Sequence, residues 1–333
     1  MTHSSVSAVI VSWNQRRFLD GCLDALRGQQ YPHLDITVVD NGSTDGSPEW
    51  VAQHYPSVSL LGLATNLGFA HAFNQGARHA RGGLVLSLNP DVIPLPNFIA
   101  EMVCAIAAES RVGMVAPKLL RADNPALLDS TGLFIDRRRR PYDRGQGEVD
   151  RGQYDTLFDV FGACGAAALY RRALLEDLAM DGQYFDEGFF AYCEDADLAW
   201  RAQLRGWRCR YAPQAIATHV RGWGDTLRRR GHSAKGSTGP RLALRNRYLM
   251  TVKNDAWGYF LADLPCILAA ELPRLAYAAV AMPGVWLAIP DLLRALPATL
   301  RKRRQIRQRR TVSDAAIRRQ FVTAGHTARR RRM

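Results

Sequence analysis

The sequence lacks the usual markers of a small stapled or fibrous protein. Its six cysteines (Cys22, Cys104, Cys164, Cys193, Cys209 and Cys266) are scattered, and no two form a CxxC pair. That argues against a structural zinc site. A chain of this length needs no disulfides, and dispersed thiols suit a reducing compartment. There is no repeat of roughly 20–50 residues and no sustained heptad, which excludes solenoids and coiled coils. The first seven residues have neither a basic n-region nor an apolar h-region. The expectation is therefore no secretion signal and a cytoplasmic catalytic part. The longest charge-free run, residues 275–290, is 16 residues and contains a proline. A membrane-spanning helix wants ~20 uninterrupted apolar residues.

What is present is ordinary globular material. Hydrophobic residues make up 47% of the 333 and charged residues 23%, enough for a sizeable core. At ~150 residues per domain the length suggests about two units, or one large α/β domain with an appendage. The formal net charge of +13 looks like a nucleic-acid signature until it is located. Residues 301–333 hold twelve arginines, one lysine and one aspartate, so nearly all the excess lies there and the body is close to neutral. A block of this kind is more often a solvated or membrane-touching arm than a nucleic-acid surface. No nucleic-acid partner is expected.

The first ~120 residues alternate in period. Strand-like runs at 7–12, 36–39, 58–61 and 84–88 are separated by helical patterns at 18–26, 48–55, 70–80 and 97–108. Phe18, Leu19, Cys22, Leu23 and Leu26 share one helical face, and Ser47 can cap the helix after it. Short apolar strands between helices predict a mostly parallel sheet covered on both faces. Ligands on such sheets bind beyond the carboxyl ends of the strands. Residues 121–160 are polar and read as a long excursion over the sheet. A strand pattern resumes at 166–170, a helix at 194–205, and two short strands at 208–212 and 215–219.

From 256 to 300 the chain is apolar and interrupted by Pro265, Pro273, Pro283, Pro290 and Pro297. Two readings compete: a helical subdomain packed on the catalytic domain, or short amphipathic helices lying in a membrane interface. The run RKRRQIRQRR at 301–310 favours the second, because basic clusters beside apolar segments attract anionic cytoplasmic lipids.

Several loops carry chemistry. Residues 40–47 (DNGSTDGS) leave the second strand through Asp40. They suit either a nucleotide, with Asp40 on base or ribose and Gly42 allowing close approach, or a simple capped turn. Asn66, Gly68, Asn74 and Gly76 surround the start of the next helix, as a binding edge or as a cap with a packing glycine. Asn89, Pro90 and Asp91 end the fourth strand. Asp91 suits either a hard cation such as Mg²⁺ or Mn²⁺ holding a diphosphate, or a turn cap. The densest cluster is residues 185–198, with five carboxylates among four aromatics. Aromatic packing that fixes carboxylates at a helix start is what a positioned general base requires. The helix dipole favours its ionised form. Asp197 and Arg201 read as a structural pair. His219 is either structural or a partner of Asp91 in a metal site.

These pieces, in this order, resemble family 2 glycosyltransferases of the GT-A fold, in a bacterial rhamnosyltransferase-like branch. The matching stretches are VSAVIVSWN, VVDNGSTDGS, NLGFAHAFNQG, LNPD, GACGAAALYRR, FDEGFFAYCEDADLAWRAQLRGW and the later Arg245 and Asn246, across roughly residues 6–255. The resemblance implies a catalytic domain at 1–255, with a nucleotide-sugar half at about 1–120 and an acceptor half at about 121–255. An apolar membrane-interface region at 256–300 and a basic tail at 301–333 follow. It implies donor contacts from Ser12, Asn14, Asp40, Asn41, Asn66, Gly68, Asn74 and Asn89. Asp91 matches the last acid of the family's metal motif, whose first position is Asn89 here, and His219 falls at a metal or diphosphate ligand position. Asp195 matches the general base, with Glu194 beside it. Arg201 and Trp207 match framework positions.

The implied reaction is inverting transfer of a sugar from a dTDP-, UDP- or GDP-linked donor, with L-rhamnose from dTDP-rhamnose foremost. The implied acceptor is a glycan or lipid-linked glycan at the inner face of the cell membrane, and the implied cofactor a divalent metal. A dehydrogenase would want GxGxxG after the first strand, where Ser12, Trp13, Asn14 and Gln15 stand. A sugar-phosphate nucleotidyltransferase would want a Gly-rich basic loop there, and that is missing too.

Overall fold

The computed structural model describes residues 4–220, 238–281 and 283–322. Strand β1 (Val6–Ser12) is buried along its whole length. It pairs in parallel with β2 (Leu34–Asp40) and β4 (Leu84–Leu88), and β2 pairs in parallel with β3 (Ser59–Gly62). Val6, Ala8 and Ile10 face one core, and Val9 and Val11 the other. A strand buried on both faces must be apolar throughout, which is why this run does not alternate. Helix α1 (Arg16–Arg27) buries Leu19, Cys22, Leu23 and Leu26 on the first face. Helix α3 (Phe69–His79) buries Phe73 and Ala77 on the second. Helix α2 (Ser47–His54) starts differently from the expectation. Ser47 is not its cap: Gly46 takes that place at φ +78°, and Asp45 Oδ1 accepts the Ser47 N–H.

Beyond β4 lie β5 (Val92–Pro94), α4 (Phe98–Ala107) and β6 (Val112–Arg121). The excursion contributes short strands β7 (Leu128–Ser130), β8 (Leu133–Ile135), β9 (Pro141–Asp143) and β10 (Asp159–Val160). Strand β11 (Ala167–Arg171) then returns antiparallel between β4 and β6, and helix α5 (Arg172–Leu178) follows it. The main sheet runs β10-β12-β6-β11-β4-β1-β2-β3 and is mixed, because the excursion delivers the chain to β11 at the carboxyl edge. After helix α6 (Glu194–Leu204), residues 208–219 form one strand, β12 (Arg208–His219), rather than two. A register irregularity between Ala212 and Ile216 interrupts its ladder beside Pro213, which has no N–H to give.

The C-terminal part is helical: α7 (Thr238–Asn254), α8 (Trp257–Ala281), a 3₁₀ turn (Pro283–Leu287), α9 (Ala288–Arg309) and α10 (Asp314–Gln320). No helix among the described residues is long and apolar enough to cross a membrane.

The basic run differs from the expected free tail. It continues α9, and Ile306, Ile317 and Phe321 are buried in the same core as Phe161 and Trp200. Its charges are largely spent internally. Arg307 and Arg310 pair with Asp314, Arg309 pairs with Asp177, and Arg303 donates to the carbonyls of Val252 and Asp255. Residues 323–333 lie outside the described residues.

Helix α8 is turned inside out. Its two carboxylates, Asp263 and Glu271, are buried on ion pairs with Arg139 and Arg318 and with Arg247. Its apolar Leu261, Leu268, Leu272 and Val280 face outward, Val280 at 87% exposure. On α9, Leu293 and Leu300 are exposed as well.

Candidate active site

The carboxyl ends of β1, β2 and β4 open on one edge of the sheet. There Asp40 is buried, and its Oδ2 accepts the Ser43 N–H at 3.0 Å. Its Oδ1 and the Ser12 hydroxyl are buried without a hydrogen-bond partner among the described residues. Buried polar atoms of this kind need a partner, and a ligand is one. Asn14, at φ +53°, accepts the Thr44 N–H at 2.8 Å and takes Ser43 Oγ on its own N–H at 2.9 Å. Asn41 and Asn66 bond each other at 3.0 Å, Asn41 Oδ1 accepts the Leu67 N–H, and Asn66 Oδ1 accepts the Gly68 N–H. Gly42 allows the two loops to close, since a Cβ there would lie 2.7 Å from the Thr65 backbone. Ser12, Asn14, Asp40, Asn41, Asn66 and Gly68 thus share one loop cluster.

Asn74 does not join them. It is fully buried, its Oδ1 accepts the Phe185 N–H, and its Nδ2 donates to Phe185 O and Glu187 Oε1, each at 2.9 Å. An amide with both N–H groups spent in this way braces the acidic segment.

Asn89 follows β4, with its N–H on Ala166 O. Two residues on, Asp91 Oδ1 lies 3.5 Å from His219 Nε2, at the end of β12. His219 Nδ1 lies 2.7 Å from Asp129 Oδ2, which the sequence reading missed. Burial alone would lower the imidazole pKa, but hydrogen bonds and charge from Asp129 and Asp91 outweigh it and raise it to about 9. Among the described residues no group of three or more His, Cys, Asp or Glu side chains is arranged to hold a metal. Arg221, Gly222, Trp223 and Gly224, which follow this strand, lie outside the described residues.

The acidic segment forms a strained turn into α6. Asp186 Oδ1 accepts the Gly188 N–H. Phe190, Tyr192 and Cys193 all have positive φ (65°, 73° and 67°), and Cys193 occupies the cap of α6. Gly68 meets this turn, since a Cβ on it would fall 2.6 Å from Phe190 O. Asp195 Oδ2 accepts the Gly165 N–H at 2.8 Å, and Oδ1 accepts the Ala196 N–H at 2.7 Å. Glu194 Oε2 is buried without a hydrogen-bond partner among the described residues. Both carboxyls are pushed up: burial disfavours their charged forms, and Asp195 adds repulsion at Glu194. The helix dipole was expected to favour ionisation. The backbone N–H groups do pull Asp195 down, but burial wins. Asp197 pairs with Arg201 at 2.9 Å, as expected, and also with Lys253 at 2.9 Å. Trp207 Nε1 donates to Asp177.

The model for "Glycosyl transferase family 2" matches residues 7–179, just over half of the chain. The chain is a family 2 glycosyltransferase. The model for "Glycosyl transferase family group 2" matches residues 145–293. Among curated proteins, this glycosyltransferase is 27% identical to the Mycobacterium tuberculosis N-acetylglucosaminyl-diphospho-decaprenol L-rhamnosyltransferase, covering 63% of this chain and 74% of that one. It is 22% identical to the Staphylococcus aureus poly-beta-1,6-N-acetyl-D-glucosamine synthase, covering 63% and 48%. Among solved structures it superimposes on the Pyrobaculum calidifontis mannosyltransferase PcManGT, in complex with GDP-Man and Mn²⁺. There the TM-score is 0.55 at 21% identity, covering 92% and 86%. With residues 1–349 of S. aureus TarS it scores 0.55 at 16% identity, covering 95% and 89%. The fold of this family 2 glycosyltransferase is therefore GT-A, with an added helical C-terminal part.

The residues that sequence reasoning missed are Asp129, Lys253, Asn254 and Lys302, while Gly165 and Asn246 fell in matching stretches without a role. Lys253 is wholly buried, with Nζ 2.5 Å from Asp186 and 2.9 Å from Asp197. Asn254 Nδ2 donates to Asp197 at 2.7 Å. The usable signal was chemical: five carboxylates packed among aromatics demand buried cations from elsewhere in the chain.

Proposed function

We propose that this enzyme moves a sugar, with inversion, from a nucleotide diphosphate to a lipid-linked glycan during cell-envelope polysaccharide synthesis, and that the sugar is L-rhamnose from dTDP-L-rhamnose. The observation that carries the reading is the orphaned pair Asp40 Oδ1 and Ser12 Oγ at the sheet edge where a nucleotide sits. Asp40 and Ser12 take the base or ribose. Asn14, Asn41, Asn66, Gly68 and Asn89 shape the donor cleft. The 27% identity to a rhamnosyltransferase supports the choice of sugar.

The donor set at Asp91 and His219 fits a divalent cation. One carboxylate oxygen and one imidazole nitrogen face each other, and the other ring nitrogen is oriented by Asp129. Asp91 and His219 would hold Mg²⁺ or Mn²⁺, which would supply charge neutralisation for the leaving diphosphate. Binding there requires His219 to give up its proton.

Asp195 is the base. Its Oδ2 is steadied by the Gly165 N–H, and burial, with the charge of Asp143, raises its affinity for a proton. As the acceptor hydroxyl oxygen attacks the anomeric carbon, Asp195 takes its proton and the bond to the diphosphate oxygen breaks. The outward apolar side chains of α8 and α9 rest on the cytoplasmic leaflet, where a polyprenyl-linked acceptor is held. Exposed Arg274 and Arg294 meet its lipid headgroups.

Calorimetry with dTDP, UDP and GDP, with and without Mn²⁺, on the wild type and Asp91→Ala tests this reading. One nucleotide should bind in a metal-dependent manner, and the variant should lose that dependence. Absence of binding by all three overturns it.

A further inference from the structure

We propose that Asn246, on α7, is a positioning residue for transfer: it fixes the strained turn that aims Asp195. The inference rests on the reading of Asp195 as the base. Asn246 is itself fully buried and touches no solvent, so it acts through the turn.

The accounting of backbone carbonyls carries the case. Residues 189–193 present five. Phe190 O accepts from Ala70 N, and Cys193 O from Asp197 N. The carbonyls of Phe189, Ala191 and Tyr192 all accept from Asn246 Nδ2, at 2.8, 2.7 and 2.9 Å. Three carbonyls only accept, so they face the NH₂ group, whose two hydrogens they share. Arg245 completes the clamp. Its Nε donates to Asn246 Oδ1 at 2.9 Å, and its Nη2 donates to Gly188 O at 2.8 Å.

Those carbonyls belong to a backbone that resists its own shape. Phe190, Tyr192 and Cys193 are non-glycine residues at positive φ, and such residues persist only where their surroundings hold them. Local bonds are few: Phe190 N to Glu187 O and Ala191 N to Phe189 O. Without the amide, Ala191 O and Tyr192 O lose the partner that fixes them. Two residues after Cys193 stands Asp195. A rotation of the turn therefore moves its carboxylate relative to the Gly165 N–H. One side chain thus ties the helical C-terminal part to the geometry of proton removal.

The test uses the full chain as wild type, Asn246→Ala, Asn246→Ser (which keeps one donor) and Asn246→Ala with Cys193→Gly. Hydrogen exchange by mass spectrometry reads the turn directly. Turnover is measured with dTDP-L-rhamnose, Mn²⁺ and N-acetylglucosaminyl-diphospho-polyprenol. In Asn246→Ala, amides 190–196 should exchange faster while those of β1, β2 and β4 keep their protection. Turnover should fall ~10²-fold with the donor KM within about twofold, as expected for a displaced reacting group. Glycine at 193 tolerates positive φ, so the double variant should recover part of the lost turnover. Asn246→Ser should fall between wild type and alanine.

Unchanged protection of 190–196 in Asn246→Ala overturns the proposal. So does a loosened turn with undiminished turnover, or a loss seen only in KM. If Asp195→Asn transfers at the wild-type rate, the base reading falls instead, and the exchange data still decide whether Asn246 holds the turn.

Discussion

Lys302 Nζ lies 2.5 Å from Oδ1 of Asp186. The lysine belongs to the basic run of α9, and the aspartate heads the turn that leads to Asp195. Lys253 closes the other carboxylate oxygen at 2.5 Å and reaches Asp197 behind it. A charge block that reads as a solvated arm thus supplies one of the two buried counterions of Asp186.

Lys253→Met should destabilise the fold by about 1–3 kcal/mol near neutral pH, because it leaves Asp186 to Lys302 alone and Asp197 to Arg201 and Asn254. The pH dependence follows from Asp186. Burial pushes its carboxyl up, but Lys253 and Lys302 hold it well below the ordinary carboxylate range. A lowered folded pKa contributes stability above the unfolded pKa, and that stability is lost as pH falls through the folded value. The gap between wild type and variant in urea unfolding should therefore narrow as the solution is acidified below about pH 4. Equal midpoints at neutral pH would sink the assignment.

Asp195→Asn should remove transfer and stabilise the protein. Loss of the base should cost roughly 10²–10⁴-fold in kcat while nucleotide binding is kept. Burial raises the Asp195 and Glu194 carboxyls, so keeping them ionised in the fold costs stability above the unfolded carboxylate pKa. The melting temperature of the variant should exceed the wild type at about pH 8 and converge with it near pH 4. In the wild type, kcat should still be rising with pH above the ordinary carboxylate range. A variant less stable than wild type at both pH values would contradict the burial argument.

The parts of this site that were legible from sequence are those carried by short segments. Asp40 with its glycine-rich loop, Asn89 with Asp91, and Glu194 with Asp195 each follow a strand or start a helix within a few residues. Periodicity and turn chemistry therefore place them. Asn74 reads as equivalent to Asn66 because both lie near the same sheet edge, one before α3 and one within its second turn. The sequence does not show that its amide turns toward Phe185, 111 residues away. The mixed order of the sheet was hidden for the same reason. The direction of β11 depends on where a 40-residue-scale excursion ends, and local pattern carries no sign of that. The arginine run was misread because charge blocks have no periodicity of their own. Its partners, Asp177, Asp186 and Asp314, are known only once the helix is docked.

The outward face of α8 yields a third expectation. Leu272→Asp with Val280→Asp should leave thermal stability within about 0.5 kcal/mol of wild type, since both side chains are exposed. The pair should abolish sedimentation with phosphatidylglycerol vesicles, because a carboxylate on the apolar face opposes both insertion and anionic headgroups. Wild-type sedimentation by this variant would place the membrane contact elsewhere.

The shared burial of Phe161, Trp200, Ile306, Ile317 and Phe321 also sets an order of events during synthesis. Domains generally close as units while the chain emerges from the ribosome. Here the second core is walled by residues that appear only after position 300. The parallel strands and their first-face helices form early, around Ile10, Leu86 and Phe98. The wall behind α6, and with it the seat of Asp195, waits for the last helices to arrive. Until then Trp200 lacks Phe321, the ring that meets it edge to face at 5.1 Å.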